Sequence, residues 1–298
     1  MIKKLSLYTV ALLATIVIFS SCKKDYETIQ TLDETKLTEY FAKNNITAIP
    51  DSAKTGYFYV LNQPAGSTDP VYKLTDSVRY SIKIAGFSAG TVYAATPTTR
   101  NDGQRVGSAF GFYGKTIPAI SNVLRKLQPG GTATIYLPSY LAFGKNGISA
   151  AGIPSNEILI LTINSFKESQ ALLDDMHINA YLKANSLTAV KDPSGIYLQT
   201  ITAGTGTDLI NLNSLVNFSY SMKTLEGTNA QESTITVTPK SLITGFRIML
   251  PKFTKGTKVR MFIPSVLAYG NAATTSGDII AANSCLDYTS IEILAVTN

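Results

Sequence analysis

The segment Leu137-Pro-Ser-Tyr-Leu-Ala-Phe-Gly144 occurs a second time in the chain, as Ile263-Pro-Ser-Val-Leu-Ala-Tyr-Gly270. Matching sequence extends outward from both segments, in the pairs Tyr40–Asp51 with Tyr181–Asp192 and Tyr80–Lys83 with Tyr220–Lys223. A repeat of this length indicates two copies of one structural unit. The chain is therefore predicted to contain two domains of the same fold.

Each copy combines helical and strand patterns. Apolar residues that fall on one helical face precede each Pro-Ser motif and predict a short helix. They are Ile117, Ile120, Leu124 and Leu127 in the first copy, and Ile243, Phe246, Leu250 and Phe253 in the second. Alternating segments such as Val78–Ile84 and Val216–Met222 predict half-buried strands. The predicted fold class is α+β, with a mostly antiparallel sheet curved around a short helix in each domain and a further helix before each.

The composition excludes several classes of protein. The chain has 298 residues, 45% of them hydrophobic and 15% charged, which is too apolar for a disordered protein. The formal charge of +6 forms no basic stripe, so nucleic-acid binding is not expected. A single histidine, His177, argues against a histidine-rich metal site, and no metal or other cofactor is predicted. The nearby Asp174 is assigned to a helix start, where it favours the positive end of the helix dipole.

The first residues have the parts of an export signal. Residues 1–21 contain a basic start, an apolar run from Leu5 to Phe19 and small residues before a break. The run is too short to cross a bilayer comfortably. The segment Phe19-Ser-Ser-Cys22 resembles the lipobox of bacterial lipoproteins, and its continuation is similar to lipoprotein starts in Bacteroidetes. The resemblance implies a lipid anchor on Cys22 and a location in the cell envelope, on either face of the outer membrane, with a soluble secreted protein as the alternative.

The Pro-Ser motifs also carry a family resemblance. Each is followed by a second motif and an apolar strand, Ile153-Pro-Ser-Asn156 in the first copy and Asn283-Ser-Cys-Leu286 in the second. This ordered combination resembles the FKBP-type peptidyl-prolyl cis-trans isomerases. The predicted organisation is a signal peptide at 1–21, a tether and helix at 22–49, an FKBP-like domain at 50–166, a helical linker at 167–190 and a second FKBP-like domain at 191–298. Extra residues of the first copy are placed between Gly90 and Gly107.

The chemistry that this resemblance implies needs no nucleophile and no cofactor. Rotation about an X–Pro amide faces a barrier of roughly 18–20 kcal/mol, because the planar ground state has C–N double-bond character. The twisted amide loses this resonance and tolerates an apolar, partly water-free pocket better than the planar form does. A site that binds the twisted form more tightly therefore accelerates rotation.

The resemblance also implies a pocket in each domain. The catalytic residues of the second domain are Tyr220, Ile243, Phe246, Tyr269 and Tyr288. The weaker substrate-binding set of the first domain is Tyr80, Tyr93, Ile117, Ile120, Phe143 and Leu161. In the family, the isoleucine at the helix start offers its backbone N–H to the ligand, and a tyrosine hydroxyl reaches the substrate carbonyl. Only Tyr269 keeps that hydroxyl, and neither copy keeps the carboxylate of the family's usual Phe-Asp pair.

These assignments favour isomerisation of X–Pro bonds in envelope or secreted polypeptides, mainly by the second domain. The alternative is a catalytically degenerate lipoprotein whose pockets bind proline-containing polypeptides without accelerating rotation. A third interpretation is a structural or assembly role for the duplicated scaffold at the outer membrane. Tyr80 and Tyr220 are also compatible with strand aromatics that only pack.

Overall fold

The computed structural model describes residues 27–274 and 280–298. The predicted signal peptide and the lipidation site at Cys22 lie outside these residues. Among the residues described, no helix is long and apolar enough to cross a membrane. The chain forms two units of similar architecture, and a helix precedes each of them.

The first unit forms one antiparallel sheet with a short hairpin beside it. Its helices are α1 (Ile29–Lys43) and α2 (Pro118–Leu124). Its strands are β1 (Ile49–Pro50), β2 (Phe58–Asn62), β3 (Ser77–Gly86), β4 (Val92–Ala95), β5 (Asp102–Arg105), β6 (Gly111–Phe112), β7 (Lys115–Thr116), β8 (Thr132–Leu137) and β9 (Leu159–Phe166). The sheet order is β1-β2-β8-β9-β3-β4, with β5 also pairing with β3, and β6 and β7 form the hairpin.

The second unit repeats this arrangement. Its helices are α3 (Gln170–Ala184) and α4 (Thr244–Met249). Its strands are β10 (Val190–Lys191), β11 (Tyr197–Thr202), β12 (Leu215–Thr224), β13 (Gln231–Val237), β14 (Lys258–Ile263) and β15 (Leu286–Thr297). The order β10-β11-β14-β15-β12-β13 matches the first sheet strand for strand, apart from β5. The predicted α+β class, with two copies of one antiparallel fold, is confirmed.

The short helix of each unit packs against the core face of its sheet. In the first unit, Ile120 and Leu124 of α2 are buried together with Ile135 of β8. In the second, α4 approaches β14 so closely that a Cβ on Gly245 would lie 2.7 Å from the side chain of Ile263. A larger residue at this glycine would push the helix away from the strands that form the site described below.

Both short helices end before the predicted apolar face does. Helix α2 ends at Leu124, and Leu127 is buried from the turn that follows. Helix α4 ends at Met249 and continues as a 3₁₀ turn, Leu250–Lys252, which contains Pro251. Proline has no N–H to donate into the helix, so the α-helix cannot continue through it. Seven of the eight predicted apolar residues are buried nonetheless, and Ile243 is partly buried, because the turns return these residues to the same core.

A buried aspartate attaches each long helix to the Pro-Ser motif of its own unit. Asp33 of α1 accepts hydrogen bonds from the N–H and the hydroxyl of Ser139, at 2.8 and 2.6 Å. Asp174 of α3 accepts from the hydroxyl of Ser265 at 2.8 Å and from the N–H of Val266 at 3.1 Å. The sequence predicts a role for Asp174 at the helix dipole. Its carboxylate is instead fully buried against the Pro-Ser turn.

The extra residues of the first unit include β5 and the loop before it, and this loop contacts the second unit. Asn101 and Gln170 exchange side-chain hydrogen bonds of 2.8 and 3.0 Å. The amide of Asn283 donates to the backbone oxygen of Asn101 at 3.2 Å. Arg100 and Glu226 form an ion pair at 2.8 Å. The insertion therefore joins the two units as well as extending the first sheet.

Candidate active site

Three aromatic side chains meet in the second unit, between its sheet and α4. The rings of Tyr220 and Tyr288 are edge-to-face, with centroids 5.6 Å apart. Phe246 of α4 contacts Tyr288 in the same way, at 4.8 Å. Edge-to-face contacts match the positive edge of one ring with the negative face of the next and stabilise one arrangement. The structure thus brings together three of the five residues predicted for this site.

The strand pairing explains why the two tyrosines share a face. Strands β12 and β15 are antiparallel neighbours, with Tyr220 opposite Ile291 and Met222 opposite Tyr288. Side chains alternate between the faces of a strand, so residues 220 and 222 lie on the same face. A shift of register between these pairs, with Thr289 as the additional residue, brings Tyr288 onto that face.

Tyr269 adds a third tyrosine from the Pro-Ser turn, with 40% of its surface exposed. Burial, followed by the neighbouring Tyr220, raises the pKa of Tyr269. Burial, followed by Tyr269 and Tyr220, also raises the pKa of Tyr288. Both hydroxyls therefore keep their protons at neutral pH and can donate hydrogen bonds. Within the described part of the chain, none of the three tyrosine hydroxyls has a hydrogen-bond partner.

The backbone at the start of the short helix differs between the two units. In the first, the N–H of Ile117 donates to the carbonyl of Phe110 at 2.8 Å. In the second, the N–H of Ile243 donates to no acceptor among the residues that the structure describes. Ile243 is the N-cap of α4 and packs against the core that contains Phe246. A free backbone donor is therefore present beside the aromatic cluster of the second unit only.

The first unit has an open cavity at the position of its predicted pocket. The cavity has a volume of about 340 Å³, and Tyr80, Phe110 and Ile120 line its apolar side. The rings of Tyr80 and Phe110 lie 5.7 Å apart. Ligand sites have volumes of roughly 300–1,000 Å³. The first pocket is therefore at the small end of this range, with room for a proline ring or a short side chain.

A carboxylate that the sequence analysis missed lines the polar side of this cavity. Asp102 of β5 pairs directly with Tyr80 of β3, so the two side chains lie on one face. Asp102 accepts from the hydroxyl of Thr96 at 2.5 Å and forms an ion pair with Arg100 at 2.5 Å. Burial and then Asp102 raise the pKa of Tyr80, whereas Arg100 lowers it. The first pocket therefore contains a carboxylate, from a different place in the sequence than the family pattern suggests.

The other residues predicted for the first pocket lie around the cavity. Ile117 and Leu161 are fully buried in the core. Phe143 is partly buried and contacts Phe112, which lines the cavity, at a centroid distance of 5.9 Å. Tyr93 packs partly against the same core. All six predicted residues thus belong to one region, and two of them, Tyr80 and Ile120, form the cavity wall.

Over the described ranges, no group of three or more His, Cys, Asp and Glu side chains could hold a metal ion. Nδ1 of His177 lies 3.0 Å from the backbone oxygen of Thr98, and burial lowers the pKa of this histidine. Cys285 is buried, and burial raises the pKa of its thiol, which makes it a poor nucleophile. The described pockets therefore offer apolar surface and hydrogen bonds.

Solved structures that the chain matches come from several organisms. The chain is similar to the three FKBP domains of wheat FKBP73, with 17% identity, coverage of 84% of this chain and 99% of that chain, and a TM-score of 0.32. A peptidyl-prolyl cis-trans isomerase from Pseudomonas syringae pv. tomato has 26% identity and a TM-score of 0.35, and the match covers 43% of this chain and 94% of that chain. FkpA from Escherichia coli has 22% identity and a TM-score of 0.36, and the match covers 43% of this chain and 61% of that chain.

A search of curated proteins gave no match. The sequence model of the family described as FKBP-type peptidyl-prolyl cis-trans isomerase matches residues 76–165 and 207–293. The two matches together cover more than half of the chain, and each falls within one of the two units of the fold. The chain belongs to the FKBP-type peptidyl-prolyl cis-trans isomerase family, with two domains of this type.

Proposed function

We propose that this protein catalyses cis-trans isomerisation of X–Pro bonds in envelope or secreted polypeptides, mainly through its second domain. The observation that carries this proposal is the free N–H of Ile243 beside the aromatic cluster of that domain. In the first domain the equivalent N–H, that of Ile117, already donates to the carbonyl of Phe110. The Pro-Ser turn of that domain carries Phe143 in place of a tyrosine. The second domain therefore offers a substrate more free hydrogen-bond donors.

The geometry supports rotation by differential binding. Tyr220, Phe246 and Tyr288 form an apolar wall that displaces water from the substrate amide, and this environment favours the twisted form over the planar one. The N–H of Ile243 and the hydroxyl of Tyr269 can donate to substrate carbonyl oxygens while the amide turns. An interaction that is stronger in the twisted form by about 1.4 kcal/mol accelerates rotation tenfold. No covalent intermediate or proton transfer is required.

A second candidate function is peptide binding without catalysis, and the first domain supports it best. Its cavity of about 340 Å³ is apolar on one side and carries the Asp102–Arg100 ion pair on the other. The N–H that would hold a substrate carbonyl is already occupied. Such a pocket can hold a proline-containing segment but has few free donors with which to stabilise its twisted form.

Attachment to a membrane through lipidated Cys22 belongs to the same proposal. The signal-like residues 1–21 and the lipobox-like segment that ends at Cys22 support it. Each lipid CH₂ that enters the bilayer contributes about 0.8 kcal/mol to anchoring. The anchor would hold the two domains at the surface where exported polypeptides emerge and fold.

Removal of single hydroxyls tests which domain is catalytic. The full chain should accelerate isomerisation of a proline-containing tetrapeptide in a protease-coupled assay. Tyr269→Phe should lower kcat/KM about three- to tenfold, because one hydrogen bond contributes about 0.5–1.5 kcal/mol. Tyr80→Phe makes the same chemical change in the first pocket and should leave kcat/KM within twofold of the wild type.

Two results would contradict the proposal in different ways. If the full chain does not exceed the spontaneous rate, the proposed catalysis is wrong and the non-catalytic alternative is favoured. If Tyr80→Phe lowers the rate more than Tyr269→Phe does, the first domain is the catalyst. Circular dichroism of each variant shows whether a lower rate reflects loss of structure.

A further inference from the structure

A second cavity lies between the two domains. It has a volume of about 620 Å³, and we call it the interdomain cleft. Both domains and the helix that joins them contribute polar side chains to it, namely Arg79, Arg105, Gln170, Asn271 and Asn283. Val266 and Gly270 of the second Pro-Ser turn also line it. The cleft is thus separate from both isomerase pockets, although it reaches the turn that carries Tyr269.

Two arginines of the cleft lie on one face of the first sheet. Arg79 pairs with Gly103 and Ser77 pairs with Arg105, so the two arginines are diagonal neighbours across β3 and β5. The Cα atoms of such neighbours are roughly 7–8 Å apart, which allows both guanidinium groups to reach one anion. Gly103 lies between the arginines, and a Cβ there would lie 3.1 Å from the amide nitrogen of Asn283.

Both arginines have free donors. Arg79 donates to the backbone oxygen of Glu168 at 3.0 Å, and Arg105 donates to that of Thr75 at 3.3 Å. In the ranges that the structure covers, neither arginine forms an ion pair with a carboxylate, whereas Arg100 and Arg260 do. A guanidinium group has five N–H donors in a planar fork that matches a carboxylate. The cleft therefore contains two cations without a counter-charge.

Asn283 adds a buried acceptor between the arginines. Its side chain is almost completely buried, with 1% of the residue surface exposed. The amide nitrogen donates to the backbone oxygen of Asn101, and this bond fixes which end of the amide carries the oxygen. That oxygen, Oδ1, receives no hydrogen bond from any described residue. A buried acceptor without a donor is unfavourable, so a ligand N–H at this position would stabilise the complex.

We propose that the interdomain cleft binds a carboxylate-bearing polypeptide segment. The two guanidinium groups pair with the carboxylate, and Oδ1 of Asn283 accepts a hydrogen bond from a peptide N–H. A polypeptide carries both groups within a few ångströms of each other, whereas an inorganic anion has no N–H to offer. The amide of Asn271, which also lines the cleft, complements a further peptide group. The cleft thus provides a binding site for a client chain that does not depend on proline.

Peptides without proline separate this site from the isomerase pockets. Fluorescence anisotropy with the full chain should compare three labelled peptides of equal length. The first carries Asp and Glu and an amidated C-terminus, the second carries Asn and Gln at the same places, and the third is neutral with a free C-terminal carboxylate. The acidic peptide should bind at least tenfold more tightly than the neutral amide. The third peptide shows whether a terminal carboxylate can replace an acidic side chain.

Charge-matched variants test the assigned residues. Arg105→Gln, and separately Arg79→Gln, should weaken binding of the acidic peptide at least fivefold. Arg125→Gln removes the same charge from an exposed residue outside the cleft and should change the affinity less than twofold. Asn283→Asp should abolish binding, because the new negative charge beside the arginines repels the carboxylate of the peptide.

Three results would overturn the assignment of the cleft. The first is equal affinity for the acidic peptide and for the neutral peptide with an amidated C-terminus. The second is an equal loss of affinity in Arg125→Gln and Arg105→Gln, and the third is no binding of any peptide by a folded wild-type chain. The first would indicate binding by apolar contacts, and the second would indicate attraction by the overall positive charge. None of these results bears on isomerase activity, because the peptides contain no X–Pro bond.

Discussion

Replacement of Asp174 by alanine should destabilise the second domain. The Asp174 carboxylate accepts from the Ser265 hydroxyl at 2.8 Å, from the Val266 N–H at 3.1 Å and from the Gln170 amide at 2.8 Å. Asp174 and Ser265 are fully buried, so water cannot take the place of the lost acceptor without a rearrangement. The contact also holds the turn that leads to Tyr269.

The expected loss follows from the donors that the substitution leaves unpaired. The Ser265 hydroxyl, which is buried, loses its acceptor at a cost of about 1–3 kcal/mol. The Val266 N–H belongs to a half-exposed residue, so its loss of the same acceptor costs less. Gln170 is affected less, because its amide nitrogen also bonds to Asn101. Removal of a buried charge recovers part of this cost. We therefore expect a loss of about 3 kcal/mol in the free energy of unfolding, or roughly 6–12 °C in Tm.

Urea unfolding followed by far-ultraviolet circular dichroism measures this loss, since the chain contains no tryptophan. Asp208→Ala is the matched control, because it removes the same group from an exposed residue, and its effect should stay within about 0.5 kcal/mol. Asp174→Asn keeps one acceptor oxygen and should lie between the two. A loss below about 1 kcal/mol for Asp174→Ala would refute the reasoning, because the hydrogen bonds would then contribute little.

Two further predictions concern an acid-sensitive contact and the anchor. A hydrogen bond from Lys252, followed by bonds from Ser194, lowers the pKa of Asp192 from 3.8 to about 2. The stabilising effect of Asp192 is therefore full above about pH 4 and is lost as the pH falls through 2. Urea unfolding at pH 5 and pH 2 should show less acid sensitivity in Asp192→Asn than in the wild type, by under about 1 kcal/mol, because the partner Lys252 is solvent-exposed. Cys22→Ala should move the protein, expressed in a bacterial host, from the membrane fraction to the soluble fraction on immunoblots, and equal membrane fractions would contradict lipid anchoring.

The features that the sequence predicts well are those with a local pattern. Strands β3 and β12 contain the segments Val78–Ile84 and Val216–Met222, where the alternation of residues predicts strands. The repeated Pro-Ser motif predicts two domains of one fold, and the structure contains them. All the apolar positions before each motif except the partly buried Ile243 are buried, although the helices are shorter than predicted. Burial depends on the side chain, whereas helix length also depends on residues such as Pro251.

The features that the sequence does not reveal depend on contacts between distant segments. Asp102 reaches the first cavity only through the register of β5 against β3, and no pattern around it predicts that register. The N–H of Ile117 is occupied because a hairpin turn brings the carbonyl of Phe110 to it. The bulge at Thr289, which places Tyr288 beside Tyr220, is likewise set by strand pairing. The family resemblance predicts that both tyrosines line one pocket, whereas the alternation of residues along each strand does not predict that they lie together.

The two copies share a buried contact that stabilises the fold and differ at the position of Tyr269, where the first copy has Phe143. Both retain an aspartate–serine contact between the long helix and the Pro-Ser turn, in Asp33 with Ser139 and in Asp174 with Ser265. Loss of either partner would leave a buried polar group unpaired, so folding alone requires this contact in each copy. A hydroxyl on the half-exposed Tyr269, without a partner in the described part of the chain, contributes little to folding. Its presence in the second pocket, together with a free backbone N–H, fits the proposed binding of a substrate there and is not required for stability.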